Sequence, residues 1–293
     1  MPGRAALRDR RVRWSHLAGQ LLAPPVRFAG DGSLELHTLV GHQTLPLYLV
    51  AARSFHRHLP GARVAVHDDG TLSRLDRLTL RASLRGARLI PAATADAVVE
   101  ERLARWPAIR RHRRQNVRLR QLVDYCLLAS TDRVVGVDAD VVLLRAPGEI
   151  LAWAGAGDPQ PTVLYSPERA PQGPHWVPEL LPGTPYLADM CCGFVCLRPA
   201  RFFDPEALER LLDRLPAEVL ARRRFVTQML YSLMAARPGQ EARSLGPLYE
   251  SGRLRWLPEE PERVICHYFA SHRRNGAAQN LIEERELLER VAR

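Results

Sequence analysis

Two aspartates one residue apart, Asp138 and Asp140, directly follow a short apolar run that begins at Val134. Such a run is typical of a buried strand. Ionised carboxylates are costly to bury unless they are paired or hold a metal ion, and their oxygens suit hard divalent cations. The pair therefore predicts a metal site at the end of a core strand, although an Asp-x-Asp tripeptide also arises by chance in a chain of this composition.

Strands and helices are predicted to alternate along the chain. Strand–helix–strand units of this length form parallel sheets through right-handed crossovers, so the predicted fold class is α/β, with a mostly parallel sheet flanked by helices. The predicted strands cover 34–40, 63–67, 87–91, 134–137, 162–166, 194–197 and 264–269. The predicted helices cover 44–58, 72–84, 94–105, 119–127, 205–215, 218–236 and 280–293, and a short helix and a loop are predicted over 148–157.

Ligands of open parallel sheets bind beyond the carboxyl ends of the strands. His37, Thr38 and Val40 lie near the end of the first predicted strand, and Asp68 and Asp69 follow the second. We therefore expect these five residues to contact a ligand, although Asp-Asp-Gly is also a common turn sequence.

Six arginines occur between Arg110 and Arg120. Most of them are expected on a solvated helix face. Arg120 stands shortly before the strand that presents Asp138, where a guanidinium could grip a diphosphate through two parallel hydrogen bonds. Arg120 is therefore the predicted anion-binding arginine.

The net charge of +10 would ordinarily suggest nucleic acid as a partner. All 42 basic residues are Arg, however, which indicates the codon bias of a GC-rich bacterial genome more than selection for phosphate binding. Five cysteines, three of them at Cys191, Cys192 and Cys196, do not resemble a secreted disulfide framework and favour a reducing cytoplasm.

Residues 1–32 are predicted to be a basic N-terminal extension without a signal peptide or a membrane span. A solvated tail is the favoured interpretation. Its arginines and apolar residues could also contact anionic lipid, which would bring a cytoplasmic protein to the inner face of the membrane. Further along, the Pro-rich stretch 167–186 is expected to be a long ordered loop of the kind that carries function.

Four segments in chain order match the motifs of one enzyme family. They are Asp138-Ala139-Asp140, Cys191-Cys192-Gly193, Phe225-Val226-Thr227-Gln228 and the stretch from His267 to Arg273. With these motifs, residues 34–293 resemble nucleotide-sugar glycosyltransferases of the GT-A fold, closest to the retaining family that includes glycogenin and bacterial lipopolysaccharide galactosyltransferases. The resemblance implies one Rossmann-like domain over 33–293, with a nucleotide-binding part over 33–147 and an acceptor-side part over 148–293.

The resemblance also implies a metal and a donor. Asp138, Asp140 and His267 would hold Mn²⁺ or Mg²⁺, while Asp138 and Ala139 would contact the nucleotide of a sugar donor, expected to be UDP-linked. Arg273 would touch the diphosphate. Transfer of the sugar to an acceptor, whether glycan, lipid, protein or small molecule, is the implied reaction.

Retention of the anomeric configuration is the favoured stereochemistry. Gln228 would then lie near the sugar face opposite the leaving group. An inverting reaction would need a general base near the acceptor, for which Asp189 and Glu168 are the candidates. Cys191 and Thr227 replace an Asn and an Asp of the family pattern, and Arg273 replaces a Lys, so the donor sugar and the acceptor stay open.

Two alternatives come from other classes. A sugar-nucleotide-forming nucleotidyltransferase also uses metal and an α/β sheet, but it normally has a Gly-rich basic loop after the first strand, and Val40-Gly41-His42-Gln43 is a poor match. A basic, non-enzymatic nucleic-acid-binding protein would use the arginines at 110–120, but this interpretation leaves Asp138 and Asp140 without a role.

Overall fold

The computed structural model describes residues 23–158, 160–168, 173–251 and 262–267. Three predictions therefore lie outside the described residues: the first 22 residues of the basic extension, the helix over 280–293 and the role of Arg273.

The described residues form the following strands and helices, numbered in chain order. The strands are β1 (Val26–Arg27), β2 (Leu34–Val40), β3 (Arg63–Asp68), β4 (Leu84–Arg85), β5 (Arg88–Ile90), β6 (Arg133–Val137), β7 (Val141–Leu143), β8 (Val163–Pro167), β9 (Met190–Leu197), β10 (Ala242–Ser244) and β11 (Ile265–His267). The helices are α1 (Leu45–His58), α2 (Arg74–Ser83), α3 (Ala92–Arg102), α4 (Pro107–Gln115), α5 (Leu119–Leu127), α6 (Gly148–Gly155), α7 (Val177–Leu180), α8 (Pro199–Phe202), α9 (Pro205–Arg214), α10 (Ala217–Leu220) and α11 (Arg223–Ala235).

Seven strands form the central sheet in the order β10-β8-β9-β6-β2-β3-β5. Neighbouring strands are parallel except where β9 runs antiparallel to β6 and β8. The predicted α/β class with a mostly parallel sheet is confirmed. Because β2 and β6 are parallel neighbours, their carboxyl ends lie at the same edge of the sheet.

Apolar side chains cover the sheet on both faces. One cluster contains Leu49 of α1 together with Phe194 of β9. The other contains Leu122 of α5 and Met229 of α11 together with Val195, which follows Phe194 on the same strand. Since consecutive strand residues point to opposite faces, α1 lies on one side of the sheet and α5 and α11 lie on the other.

A two-stranded antiparallel pair, β7 with β11, stands beside the central sheet. Its register places His267 opposite Val141, one residue after Asp140. The pair is tied to α1, because the hydroxyl of Ser54 accepts the backbone N–H of Leu143 at 3.0 Å.

Two predicted helices differ from the observed ones. The predicted helix over 218–236 is two helices, α10 and α11, because Arg222 has a non-helical backbone conformation (φ −83°, ψ 56°). The predicted helix over 94–105 starts two residues earlier than expected and ends at Arg102. Helix α3 begins at Ala92, directly after the extended backbone of Pro91 (φ −61°, ψ 146°), and Thr94 lies within it.

Candidate active site

Asp138 and Asp140 lie on the tight turn between β6 and β7. The backbone N–H of Asp138 donates to the carbonyl of Gly193 on β9 at 2.8 Å, which continues the ladder between β6 and β9 by one residue. The N–H of Val141 donates to the carbonyl of Asp138 at 3.1 Å and closes the turn. The backbone at the sheet edge thus holds both carboxylates in place.

His267 completes a three-residue cluster with these aspartates. Its Nε2 lies 3.5 Å from Oδ2 of Asp138 and 3.4 Å from Oδ1 of Asp140. One ligand atom from each of the three residues lies within 4.8 Å of the others. The antiparallel pairing of β7 and β11 explains the approach, since it places His267 beside the residue that follows Asp140.

The charges of this cluster stabilise one another. Burial by itself would lower the pKa of His267, but its hydrogen bonds to Asp138 and Asp140 raise that pKa well above the ordinary value. Burial likewise opposes ionisation of Asp138, but hydrogen bonds from His267 and Gln121 and the charge of Arg118 lower its pKa to about 2. Two carboxylates beside an imidazole match the ligand preferences of Mn²⁺ and Mg²⁺, so the residues present fit a divalent cation.

A cleft opens above the cluster at the carboxyl ends of β2 and β6. Its floor is formed by the aspartates and His267, and its walls come from the loops after β2 and β3, the start of α5, β9 and α11. The lining residues are Leu39, Gly41, Thr44, Asp69, Val117, Arg118, Gln121, Asp138, Ala139, Asp140, Glu168, Cys191, Cys192, Gly193, Thr227, Gln228 and His267.

Gln228 and Glu168 meet on the wall of the cleft. Nε2 of Gln228 donates to Oε2 of Glu168 at 2.5 Å and to the backbone carbonyl of Met190 at 2.9 Å. These two acceptors fix the amide nitrogen of Gln228 and therefore also the direction of its carbonyl oxygen. The cleft thus contains a carboxylate, Glu168, in addition to the aspartates of the cluster and Asp69.

Four residues expected at a ligand do not line the cleft in the described part of the chain. His37 and Thr38 are buried inside the sheet, where Nδ1 of His37 lies 2.9 Å from Nε2 of His67. Val40 is fully buried, and the carboxylate of Asp68 is held by the guanidinium of Arg77 at 2.8 Å. Their contact with a nucleotide stays a prediction, whereas Asp69 does line the cleft.

Two other predicted residues also lie elsewhere. Arg120 is not among the residues that line the cleft, and its Nη2 lies 3.7 Å from Asp96 and its Nη1 3.5 Å from the carbonyl of Asp68. Asp189 is exposed and accepts the hydroxyl of Tyr165 at 2.9 Å.

Arg118 and Gln121 are cleft residues that the sequence reasoning missed. Nε2 of Gln121 donates to Oδ1 of Asp138 at 2.5 Å, and Arg118 is an exposed cation on the same wall. They are three residues apart and therefore share one helix face. In the sequence, the three-residue spacing of these polar residues, each next to a residue of the apolar stripe at Leu119 and Leu122, could have indicated that both lie on one face of the helix.

The arginines at 110–120 are not mainly a solvated face. Arg113 is buried and binds both carboxylate oxygens of Asp124, at 2.6 and 2.7 Å. Arg110 and Arg114 both pair with Glu100, at 2.8 and 2.5 Å. With Arg120, which lies beside Asp96, four of the six arginines on which a nucleic-acid-binding surface would depend are thus paired with carboxylates of this chain.

Among the described residues, no helix is long and apolar enough to cross a bilayer. The sequence matches no family model and no curated protein.

Several solved structures have a similar backbone. The galactosyltransferase LgtC, solved with donor and acceptor sugar analogues, is 16% identical and has a TM-score of 0.49, with 87% of this chain and 95% of that chain covered. Mouse xyloside xylosyltransferase 1 is 13% identical (TM-score 0.49; 84% and 99% covered). The mannosyltransferase Ktr4p from S. cerevisiae is 10% identical (TM-score 0.49; 82% and 77% covered). Because these identities and TM-scores are low, the roles of residues in this chain are argued from its own geometry.

Proposed function

We propose that this chain is a metal-dependent glycosyltransferase that moves a sugar from a nucleotide-sugar donor to an acceptor. The observation that carries the proposal is the cluster of Asp138, Asp140 and His267 on the floor of a cleft at the carboxyl ends of β2 and β6. Ligands of open α/β sheets bind at this edge.

Asp138, Asp140 and His267 would hold the divalent ion, which when bound supplies Lewis-acid stabilisation of the negative charge on a departing diphosphate. Arg118 adds a guanidinium on the wall beside Asp138 and would bind the diphosphate from that side. Gln121 orients the carboxylate of Asp138 through its hydrogen bond of 2.5 Å. These contacts support a leaving-group site on the side of the cleft where Arg118 lies.

Gln228 and Glu168 would face the sugar. A sugar that loses its leaving group develops positive charge at the anomeric carbon, and a nearby carboxylate stabilises that charge. The bond from Gln228 keeps Glu168 in place. We favour a UDP-linked donor and retention, with Gln228 and Glu168 on the face opposite the diphosphate.

The direct test combines metal binding with donor binding. Protein freed of metal with EDTA is titrated with Mn²⁺, and thermal unfolding is then followed with a panel of sugar nucleotides. An ion present at 100 times its Kd should stabilise the fold by about 2.7 kcal/mol. UDP-sugars should raise Tm further only when Mn²⁺ is present.

Asp140→Asn is the matched variant, because it removes one ligand charge and keeps the side-chain shape. We expect it to lose both the Mn²⁺ shift and the Mn²⁺-dependent donor shift. Stabilisation of this variant equal to that of the wild type would refute the metal site. A donor shift that needs no metal would refute metal-dependent donor binding.

A further inference from the structure

The imidazole of His267 has a second buried polar contact, on the nitrogen that faces away from the aspartates. Its Nδ1 lies 3.3 Å from Oγ of Ser251. Oγ of Ser251 lies 2.8 Å from Oγ of Ser166, and that hydroxyl is hydrogen-bonded to the backbone carbonyl of Tyr249. Both serines are buried, at 1% and 0% exposure. Two hydroxyls thus connect His267 to a backbone carbonyl.

The backbone carbonyl of Tyr249, at the end of this series of hydrogen bonds, determines which group donates in each bond. A carbonyl oxygen can only accept, so the single hydroxyl hydrogen of Ser166 is committed to Tyr249. Oγ of Ser166 must then accept the hydrogen of Ser251. With its own hydrogen used, Oγ of Ser251 can only accept from Nδ1–H of His267.

We infer that Ser251 and Ser166 are positioning residues that hold the proton of His267 on Nδ1 and so present the lone pair of Nε2 to the site formed with Asp138 and Asp140. A metal-ligating histidine is usually oriented by a partner on its other nitrogen. The inference rests on the proposed function, because only a metal site gives the choice of nitrogen a purpose.

The local backbone explains why these serines meet. The pairing of β8 with β9 shifts register between Tyr165 and Ser166, and such irregularities redirect the side chain that follows. The N–H of Ser251 donates to the carbonyl of Pro167 at 2.7 Å, which brings Ser251 alongside the end of β8.

Cys191 is the competing partner for Nδ1 of His267. Its Sγ lies 3.9 Å from Nδ1 and accepts the backbone N–H of Gly193 at 3.4 Å. A thiol sulfur is a weak acceptor compared with a hydroxyl oxygen, and the serine contact is the shorter of the two. Ser251 is therefore the stronger partner for Nδ1.

Isothermal titration of Mn²⁺ into the metal-free protein tests this inference. Ser251→Ala should weaken Mn²⁺ binding by about 10- to 100-fold, the usual effect of losing such a partner, and Ser251→Thr should restore much of it. Ser166→Ala should also weaken Mn²⁺ binding. Without Ser166 the hydroxyl of Ser251 can donate to Nδ1 of His267, which favours the tautomer with its proton on Nε2, the nitrogen that would bind the metal.

Ser232→Ala is the matched control. Ser232 is fully buried and exchanges two hydrogen bonds with the backbone of Leu187, at 2.7 and 2.8 Å, without touching His267. It should lower Tm without changing the Mn²⁺ affinity. In Zn²⁺-loaded protein, ring ¹⁵N spectra should show an Nδ1–H that exchanges slowly in the wild type and faster in Ser251→Ala.

The possible results separate the two proposals. Wild-type Mn²⁺ affinity in Ser251→Ala or in Ser166→Ala would refute the positioning role of the two serines but not the metal site. Failure of the wild-type protein to bind Mn²⁺ would refute the proposed function and, with it, the positioning role.

Discussion

His267 packs directly against the backbone of Gly193. A Cβ added to Gly193 would lie 2.2 Å from Cε1 of the imidazole and 2.8 Å from its Nδ1. The same glycine accepts the N–H of Asp138 through its carbonyl. One residue on β9 therefore sets the positions of two of the three candidate metal ligands, and only a glycine leaves room for the ring.

Gly193→Ala should consequently displace His267 and weaken Mn²⁺ binding at least tenfold, because real Cβ atoms essentially never approach ring atoms this closely. Isothermal titration of the metal-free variant measures the change. Gly155→Ala is the control, since nothing lies within 4 Å of a Cβ at that position. Equal Mn²⁺ affinities for wild type and Gly193→Ala would show that His267 is not a ligand.

Arg118→Ala should weaken binding of the nucleotide diphosphate about tenfold or more. A hydrogen bond to a charged group contributes about 1.5–3 kcal/mol, and Arg118 is the guanidinium on the cleft wall. Arg120→Ala removes the same charge two residues away and outside the cleft. Donor titrations at saturating Mn²⁺ compare the two variants, and a larger loss for Arg120→Ala would reverse the assignment.

Sequence patterns found the features that depend on chain order. The apolar run at 134–137 predicted the buried strand β6 (Arg133–Val137), which ends one residue before Asp138, and the first predicted strand coincides with β2 (Leu34–Val40). The motif around His267 predicted a third residue that now lies beside the aspartates. Local propensity and burial determine such features, so they can be recognised in the sequence.

Features that depend on side-chain direction could not be found in the same way. Helix α5 begins at Leu119, and two residues along a helix turn by about 200°, so Arg118 faces the cleft while Arg120 faces Asp96. The sequence did not predict that Nδ1 of His37 lies 2.9 Å from Nε2 of His67 on the neighbouring strand, and contact of His37 with a nucleotide stays a prediction. Ser251 gives no local signal, because its role arises from contacts with distant segments.

Glu168→Gln should lower kcat about 10²-fold with little change in the donor KM. The substitution keeps an acceptor for Gln228 but removes the negative charge that would stabilise the developing cation. Asp189→Asn tests the competing assignment, since Asp189 lies outside the cleft lining. Steady-state kinetics on both variants decide between them, and a loss confined to Asp189→Asn would exclude Glu168.

The buried pair of His37 and His67 should make stability depend on pH. Burial lowers the pKa of His37, although Glu35 raises it in part. Burial lowers the pKa of His67 further, and the neighbouring His37 and Arg88 act in the same direction. Both rings are therefore neutral in the folded protein at pH values where they would take up protons in the unfolded chain.

The sign of the effect follows from this difference in proton binding. Below the unfolded pKa of about 6.5 the unfolded state binds more protons at these two histidines, so their contribution to stability falls as pH falls, and the loss continues down to their folded-state pKa values. Between pH 7.5 and 5.5 each histidine can cost about 1.4 kcal/mol. Urea unfolding at the two pH values measures the pH dependence, and relative to the wild type His67→Leu should remove a loss of about 1.4 kcal/mol, the share of one histidine. His56→Gln, which alters a partly exposed histidine, should leave the pH dependence as it is in the wild type. An unchanged loss in His67→Leu would show that another group carries it.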